Sequence, residues 1–149
     1  MKSFLQDKLN YHYNCNAQII RSLLSAPQAV TVNMIKLISH TLHAQGIWNN
    51  RILDLPYEGG VWQEIELDQL TELNRRLYRQ SLEILEGVDL NREVKYKNSK
   101  RQEFRNSVSE ILYHIVNHGT YHRGQMMMMM SSAGMKTYGT DYILYKRER

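Results

Sequence analysis

Apolar side chains recur every three or four residues over four long stretches of this chain, which is the spacing of amphipathic helices. The first stretch predicts a helix that begins at Ser3, a residue able to cap it, and ends near Leu24. The second predicts a helix from about Gln28 to Ile52, opened by Pro27, because the first turn of a helix does not need the missing backbone N–H. The apolar spacing and the proline thus predict two helices in the first half of the chain.

A loop is predicted between the second and third helices. Residues 53–67 include Pro56 and two adjacent glycines, which interrupt helical geometry. Asp68 is a favourable N-cap residue, and the apolar period resumes after it, so a third helix is predicted from Gln69 to Leu85. The third helix is therefore joined to the second by a long connection.

The last helix carries a clear start signal. In the segment Ser107–Glu110, the serine and the glutamate three residues later form a capping-box pattern, and the helix is predicted to continue through Ser132. The preceding residues 88–103 are polar and basic, and Val94–Lys97 alternates briefly, which fits a short strand or an extended crossover. The tail, Gly139–Tyr145, is aromatic enough to fold back onto the body of the protein.

These elements predict an all-α protein with the architecture of a four-helix bundle. Four amphipathic helices bury their apolar faces against one another, and one longer connection precedes the last helix. The whole chain, residues 1–149, has the usual length of a single domain. Bundles of this kind build metal sites in their cores from side chains on facing helices.

The amino-acid composition limits the binding partners and the cellular compartment expected for this protein. The net charge is +4, but the basic residues form no dense stripe with interleaved aromatics, so nucleic-acid binding is not expected. Residues 1–8 have frequent charges and no apolar core of a signal peptide, and no stretch reaches the ~20 apolar residues of a membrane span. A single cysteine, Cys15, excludes an internal disulfide. We expect a cytoplasmic protein that does not bind membranes.

Three of the six histidines lie four residues apart on the last predicted helix: His114, His118 and His122. Side chains at this spacing lie one above the other on one face, so a neighbouring pair can bind one metal ion. A separation of eight residues is ~12 Å along a helix, too long for the outer two histidines to share an ion. The metal pair is therefore 114/118 or 118/122.

The second of these pairs is favoured by its surroundings. Gly119 and Gly124 leave space beside it, while Arg123 and Gln125 add polar groups nearby. Tyr121 is a further candidate, although it could equally belong to the core. A third ligand must come from another helix, and the second predicted helix offers both His40 and His43, between which the apolar period does not decide.

Other metal and nucleophile chemistries fit less well. A zincin-type protease requires glutamate directly after the first histidine of the pair, and here that position is Gly119. The five methionines Met126–Met130 point all around a helix, so they suit irregular packing better than copper binding. Cys15 has no local base to activate it.

Two segments resemble the DinB/YfiT-like superfamily of metalloenzymes. They are Leu37–Trp48, with histidines at 40 and 43, and Ile115–Gln125, with its specific His-x-x-x-His-Arg-Gly-Gln motif. The likeness extends over nearly the whole chain and includes Lys95–Asn98 and the ending Gly134–Ile143. One departure is visible, because many relatives have a glycine where this chain reads Asn98–Gln102.

The resemblance implies a four-helix bundle that holds one divalent metal ion with three histidines. Carried over by position, the ligands are His40, His118 and His122. This choice selects His40 over His43 on the second helix and agrees with the pair favoured above. Family members are often homodimers, and His114 is present in many of them.

The resemblance also implies a class of function. Characterised relatives include transferases and isomerases that use small thiols such as mycothiol or bacillithiol, and hydrolases are proposed as well. We therefore expect a metal-dependent enzyme that activates a thiol cosubstrate or water for attack on a small-molecule substrate. The alternative is a metal-binding stress-response protein without turnover. The metal is zinc, nickel or iron, and the residues expected near it are His114, Tyr121, Arg123 and Gln125.

Overall fold

The computed structural model describes residues 1–147, and in it four long helices surround a common core. The helices are α1 (Lys2–Ser25), α2 (Val32–Leu53), α3 (Leu70–Gly87) and α4 (Val108–Ser132). α1 and α2 each pack against both α3 and α4, which closes the bundle. This confirms the predicted all-α bundle fold.

Three predicted helix starts are wrong by a few residues. α1 already begins at Lys2, so Ser3 lies inside it and caps nothing. Pro27 opens a separate 3-10 turn, and α2 begins after Thr31, whose hydroxyl accepts a hydrogen bond from the backbone N–H of Met34 at 3.4 Å. Asp68 likewise lies within a 3-10 turn before α3. Short 3-10 turns are frequent just before helices, which explains the errors at Pro27 and Asp68.

The start of α4 agrees with the predicted capping box. The Ser107 hydroxyl accepts from the backbone N–H of Glu110 at 3.2 Å, and the Glu110 carboxylate accepts from the backbone N–H of Ser107 at 2.8 Å. At the other end, Gly134 adopts φ +70°, a left-handed conformation that suits a residue without a side chain. Both ends of α4 thus follow from local sequence.

The connection before α4 is a β-hairpin of two antiparallel strands, β1 (Glu93–Lys97) and β2 (Glu103–Ser107). The short first strand was predicted, whereas its partner was missed. The turn has no glycine. Instead, the Asn98 side chain accepts hydrogen bonds from the backbone N–H groups of Lys100 and Gln102, and Arg101 takes the positive φ of 61°. The asparagine therefore organises the turn without a glycine.

The C-terminal tail folds back onto α1, as its aromatic content predicted. A short helix, α5 (Tyr142–Arg147), places the Tyr142 hydroxyl and the Lys146 ammonium on the carboxylate of Asp7, with the ammonium at 2.8 Å. The Tyr11 hydroxyl donates to the carbonyl of Thr140 at 2.5 Å. Within the described residues, no helix combines the length and apolar character required to cross a membrane.

The bundle core consists of two apolar clusters with polar side chains between them. On each of the four long helices, a buried polar position falls between the residues of one cluster and those of the other. We call these side chains the polar layer; its members are His12, Asn16, Gln45, Asn49, Ser81 and Arg123. Hydrogen bonds connect them across helices, as in the 3.0 Å bond from Gln45 to Ser81. The candidate metal ligands on α4 lie at this level.

Candidate metal centre

His40, His118 and His122 converge where α2 packs against α4. One ring nitrogen from each lies within 4.8 Å of the others, in a geometry that could hold a metal ion. The two histidines on α4 are one turn apart, and their Nε2 atoms are 3.1 Å from each other. The ring of His40 is 5.1 Å from that of His118 and 4.8 Å from that of His122, measured between centroids.

The opposite edges of two of these rings are held by oxygen acceptors. His40 Nδ1 lies 3.0 Å from the carbonyl oxygen of Val61, and His122 Nδ1 lies 2.7 Å from Oε1 of Gln125. Because such oxygens only accept hydrogen bonds, both Nδ1 atoms carry the proton and both Nε2 atoms keep a lone pair. Metal-binding histidines are commonly oriented by partners of this kind. Gln125 was predicted to lie near the site, and its side chain is in position to orient the His122 ring.

The donor set fits a divalent ion. Tetrahedral zinc with Zn–N bonds of about 2.0–2.1 Å places its nitrogen ligands about 3.3 Å apart. The 3.1 Å separation between the Nε2 atoms of His118 and His122 is close to that value. Two ring nitrogens at this distance require either a proton on one of them or a cation between them. The third nitrogen, from His40, favours the cation.

Two of the three rings are held in the neutral form that metal binding needs. Burial and, after it, charge repulsion from the neighbouring rings of His122, His40 and His114 lower the pKa of His118 to about 4. Burial also lowers the pKa of His40, although the Val61 carbonyl opposes this effect. Near neutral pH, these two imidazoles therefore offer lone pairs rather than positive charge.

Two predicted neighbours lie at the mouth of the site. The exposed ring of His114 is 5.7 Å from that of His118, and the ring of Tyr121, 66% exposed, is 5.0 Å from that of His122. Sequence reasoning missed Trp62, which stacks on His40 with ring centroids 3.9 Å apart. The loop after α2 brings both Val61 and this tryptophan to the site, and no pattern in the sequence indicates such a path.

Arg123 does not face the metal ligands. Its side chain is 2% exposed and belongs to the polar layer, where Nη1 lies 3.1 Å from Nδ1 of His12 and Nη2 donates to Thr120. Gly119 leaves no space for a ligand either, because a Cβ atom there would collide with the His12 ring. The glycine instead admits that ring. Sequence reasoning missed His12, since its partner lies 111 residues away.

His43, the alternative ligand on the second helix, lies outside the converging group. Its Nδ1 is 2.8 Å from the hydroxyl of Tyr57 in the loop after α2. The methionine run has mostly a packing role: Met126 and Met130 are buried in the core, whereas Met128 is 72% exposed. The structure therefore brings together the histidines that the resemblance selected, while their role as ligands stays a prediction.

Comparison with known proteins gives two matches. The family model described as "DinB family" matches residues 21–149. Protein DinB from Bacillus subtilis (strain 168) is 37% identical over 81 residues, which cover 54% of this chain and 47% of that protein. The match therefore spans less than half of the relative's length. No solved structure matches this chain.

Proposed function

This chain belongs to the DinB family, and from that premise we propose that it is a metal-dependent enzyme acting on a small molecule. The metal is held by His40, His118 and His122, and the reaction uses a thiol cosubstrate or water as nucleophile. Transfer to the thiol makes the protein an S-transferase, and attack by water makes it a hydrolase. The observation that carries the proposal is the convergence of three imidazole nitrogens within 4.8 Å.

The composition of the site supports catalysis over a purely structural ion. Structural zinc sites are closed by four protein ligands, whereas catalytic sites have three and leave one position for substrate. Within residues 1–147, the converging group contains three histidines and no cysteine or carboxylate. A divalent ion there would supply a Lewis acid that lowers the pKa of a thiol or a water molecule.

The surrounding residues have separate tasks in this proposal. Val61 and Gln125 fix the orientation of two ligand rings through their oxygen atoms. Trp62 covers one face of His40 and excludes water there. His114 lies at the exposed mouth, where partial desolvation by its neighbours lowers its pKa, so it is neutral near pH 7 and able to accept a proton from the nucleophile.

The first test is metal content by elemental mass spectrometry on protein purified without an affinity tag. We expect about one ion per chain in the wild type and a loss of the ion in His40→Ala and His118→Ala. His43→Ala is the matched control, because His43 is on the same helix as His40 and similarly buried, at 6% against 8%. Wild-type protein that takes up neither zinc, nickel nor iron contradicts the proposal, as does loss of metal in the control alone.

A second assay separates an enzyme from a storage or stress protein. Metal-loaded protein is mixed with a small thiol and an electrophile such as 1-chloro-2,4-dinitrobenzene, and thiol consumption is followed against ester and amide hydrolysis. Turnover that disappears in His118→Ala supports the enzyme. Stoichiometric metal with no turnover of any of these compounds supports the non-catalytic alternative.

We also propose that the protein acts as a homodimer that uses the outer surface of α4. This surface exposes large side chains, with Tyr113 at 51%, Tyr121 at 66% and Met128 at 72%. Exposed apolar groups on one helical face favour contact with another subunit. Light scattering after size exclusion measures the mass directly, and a monomer at all concentrations contradicts the proposal.

A further inference from the structure

The guanidinium of Arg51 is held between two aromatic rings near the end of α2. It lies 4.5 Å from the ring centroid of Trp48 and 5.0 Å from that of Tyr96. Its hydrogen bond to the protein is a long one, 3.4 Å from Nη2 to the carbonyl oxygen of Lys97. Within residues 1–147, no carboxylate lies within 4 Å of it. Most of its N–H donors are therefore available to a ligand.

This arginine is connected to the candidate metal centre by a continuous row of rings. Trp48 contacts His114 at 5.2 Å, and His114 contacts His118 at 5.7 Å, both between ring centroids. His40, Trp48 and Arg51 also share one face of α2, since they are spaced by multiples of three and four. The three contacts add up to a path of about 15 Å, so the guanidinium lies at most about that far from the His118 ring.

A cleft of about 290 Å³ opens beside Arg51. Arg92 and Lys95 add positive charge to its wall, while Asp54 and Glu93 add negative charge. Glu93 is engaged by a cation outside the cleft, with Arg105 at 3.8 Å. The cleft is large enough for the acidic end of a small molecule, and its cations outnumber its carboxylates.

We propose that Arg51 binds an acidic group of the substrate or cosubstrate whose other end reacts at the three histidines. The ligand is then a small molecule with a carboxylate or phosphate at one end and its reactive atom at the other. This inference rests on the function proposed above and adds the chemical class of the ligand.

The distances also limit the length of that ligand. A sulfur or oxygen atom binds a metal at about 2.0–2.3 Å, and a carboxylate oxygen lies about 2.8 Å from a guanidinium nitrogen. Subtracting these contacts from the upper limit of about 15 Å leaves at most roughly 10 Å between the reactive atom and the acidic group. A tripeptide-sized thiol with a terminal carboxylate fits within this limit.

The aromatic rings prepare Arg51 for this task. A guanidinium stacked on rings keeps its planar edge free for two parallel hydrogen bonds, and it loses little side-chain freedom when an anion binds. A purely structural arginine would serve only to hold the hairpin through its bond to Lys97. The two roles can be told apart, because only an anion-binding arginine makes the affinity depend on the charge of the ligand.

The test is a fluorescence titration in a Trp62→Phe background. The chain has two tryptophans, so in this background all tryptophan fluorescence comes from Trp48, which contacts Arg51. The probes are S-methylglutathione, which has two carboxylates and no free thiol, and its diethyl ester. We expect the acid to bind at least about 10-fold more tightly than the ester, and Arg51→Gln to weaken acid binding by about 10-fold to 100-fold. Added KCl should weaken binding of the acid.

Arg75→Gln is the control, because Arg75 is an exposed arginine on α3 that pairs with Glu72 and lies outside the cleft. It should bind the acid as the parent protein does. Equal binding of acid and ester, or unchanged binding in Arg51→Gln, overturns the inference. If Arg51→Gln does not fold, Arg51→Lys and the acid-to-ester ratio in the parent protein still decide the question.

The same titration separates this inference from the proposed function. S-methylglutathione has no free thiol, so its binding should survive removal of metal by a chelator. Glutathione itself should gain affinity when metal is restored. Metal-independent binding that needs Arg51, without any gain for free glutathione, supports the anion site and contradicts thiol activation at the histidines.

Discussion

Gly119 and Gly124 allow a paired test of how α4 packs. Both lie inside the same helix, so replacement by alanine gains similar helix propensity at each, about 1 kcal/mol. A Cβ atom on Gly124 would meet nothing within 4 Å, whereas one on Gly119 would overlap the buried ring of His12. We expect Gly124→Ala to stabilise the protein by about 0.5–1 kcal/mol.

Gly119→Ala should destabilise the protein despite its better helix propensity. The new methyl group must displace His12, whose Nδ1 accepts from the Arg123 guanidinium and whose Nε2 then donates to Oε1 of Gln45. Overpacking of a core costs about 1–3 kcal/mol, and each buried polar group left without a partner costs about as much. The net loss should be about 2–4 kcal/mol, and it should lower the melting temperature by about 3 °C per kcal/mol.

Urea unfolding of the two variants beside the wild type measures this difference, and an unchanged m-value confirms that the same transition is compared. The double variant His12→Ala/Gly119→Ala removes the ring that the methyl group displaces. In that background Gly119→Ala should cost little, which gives a coupling energy of about 2–4 kcal/mol. If Gly119→Ala is as stable as Gly124→Ala, the close approach of His12 to α4 is wrong.

Three further predictions follow from single contacts. Gln125→Leu removes the acceptor on Nδ1 of His122 and should weaken metal binding about 10–100-fold in a chelator competition; unchanged affinity would exclude the orienting role. Burial lowers the pKa of His12 from 6.5 to about 3. Between about pH 3 and pH 6.5, this histidine is therefore protonated in the unfolded chain but neutral in the folded protein. Its contribution to stability is complete above about pH 6.5 and falls by up to about 1.4 kcal/mol per pH unit toward pH 3; urea unfolding of His12→Asn should show a flatter pH dependence. Ser107→Ala should lower the free energy of unfolding by about 1 kcal/mol through loss of its bond to Glu110, and no loss would mean the cap is unimportant.

The sequence predicts the parts of the fold that local patterns control. The apolar period gives the four helices, and the capping box at Ser107 gives the start of α4 correctly. Helix starts at Ser3, Pro27 and Asp68 were wrong because capping residues also open 3-10 turns or lie within a first turn. The strand Glu103–Ser107 was missed because its five residues do not alternate clearly, and its pairing with β1 is what makes it a strand.

Residues of the candidate site likewise fall into those that local sequence predicts and those that it does not. The spacing of His118 and His122 is a local signal, and so is Gln125, which reaches the ring three residues before it. His40 required the family resemblance, because the phase of α2 did not separate it from His43. Trp62 could not be predicted, since its position depends on the path of a loop. Side chains that meet across helices are specified by the complete fold, not by spacing.

Arg123 shows that a basic residue next to a candidate ligand in sequence does not have to act on that ligand. Its guanidinium is buried against Gly119 and has no carboxylate within 4 Å among residues 1–147. It directly follows His122 in α4, but successive residues of a helix point in directions about 100° apart, and the Arg123 side chain enters the polar layer. Burial and the charge of Arg123 lower the pKa of His12 to about 3, so His12 is neutral there and its Nδ1 can accept from the guanidinium. The positive charge of Arg123 therefore orders the interior of the bundle, on a different face of α4 from the proposed ion.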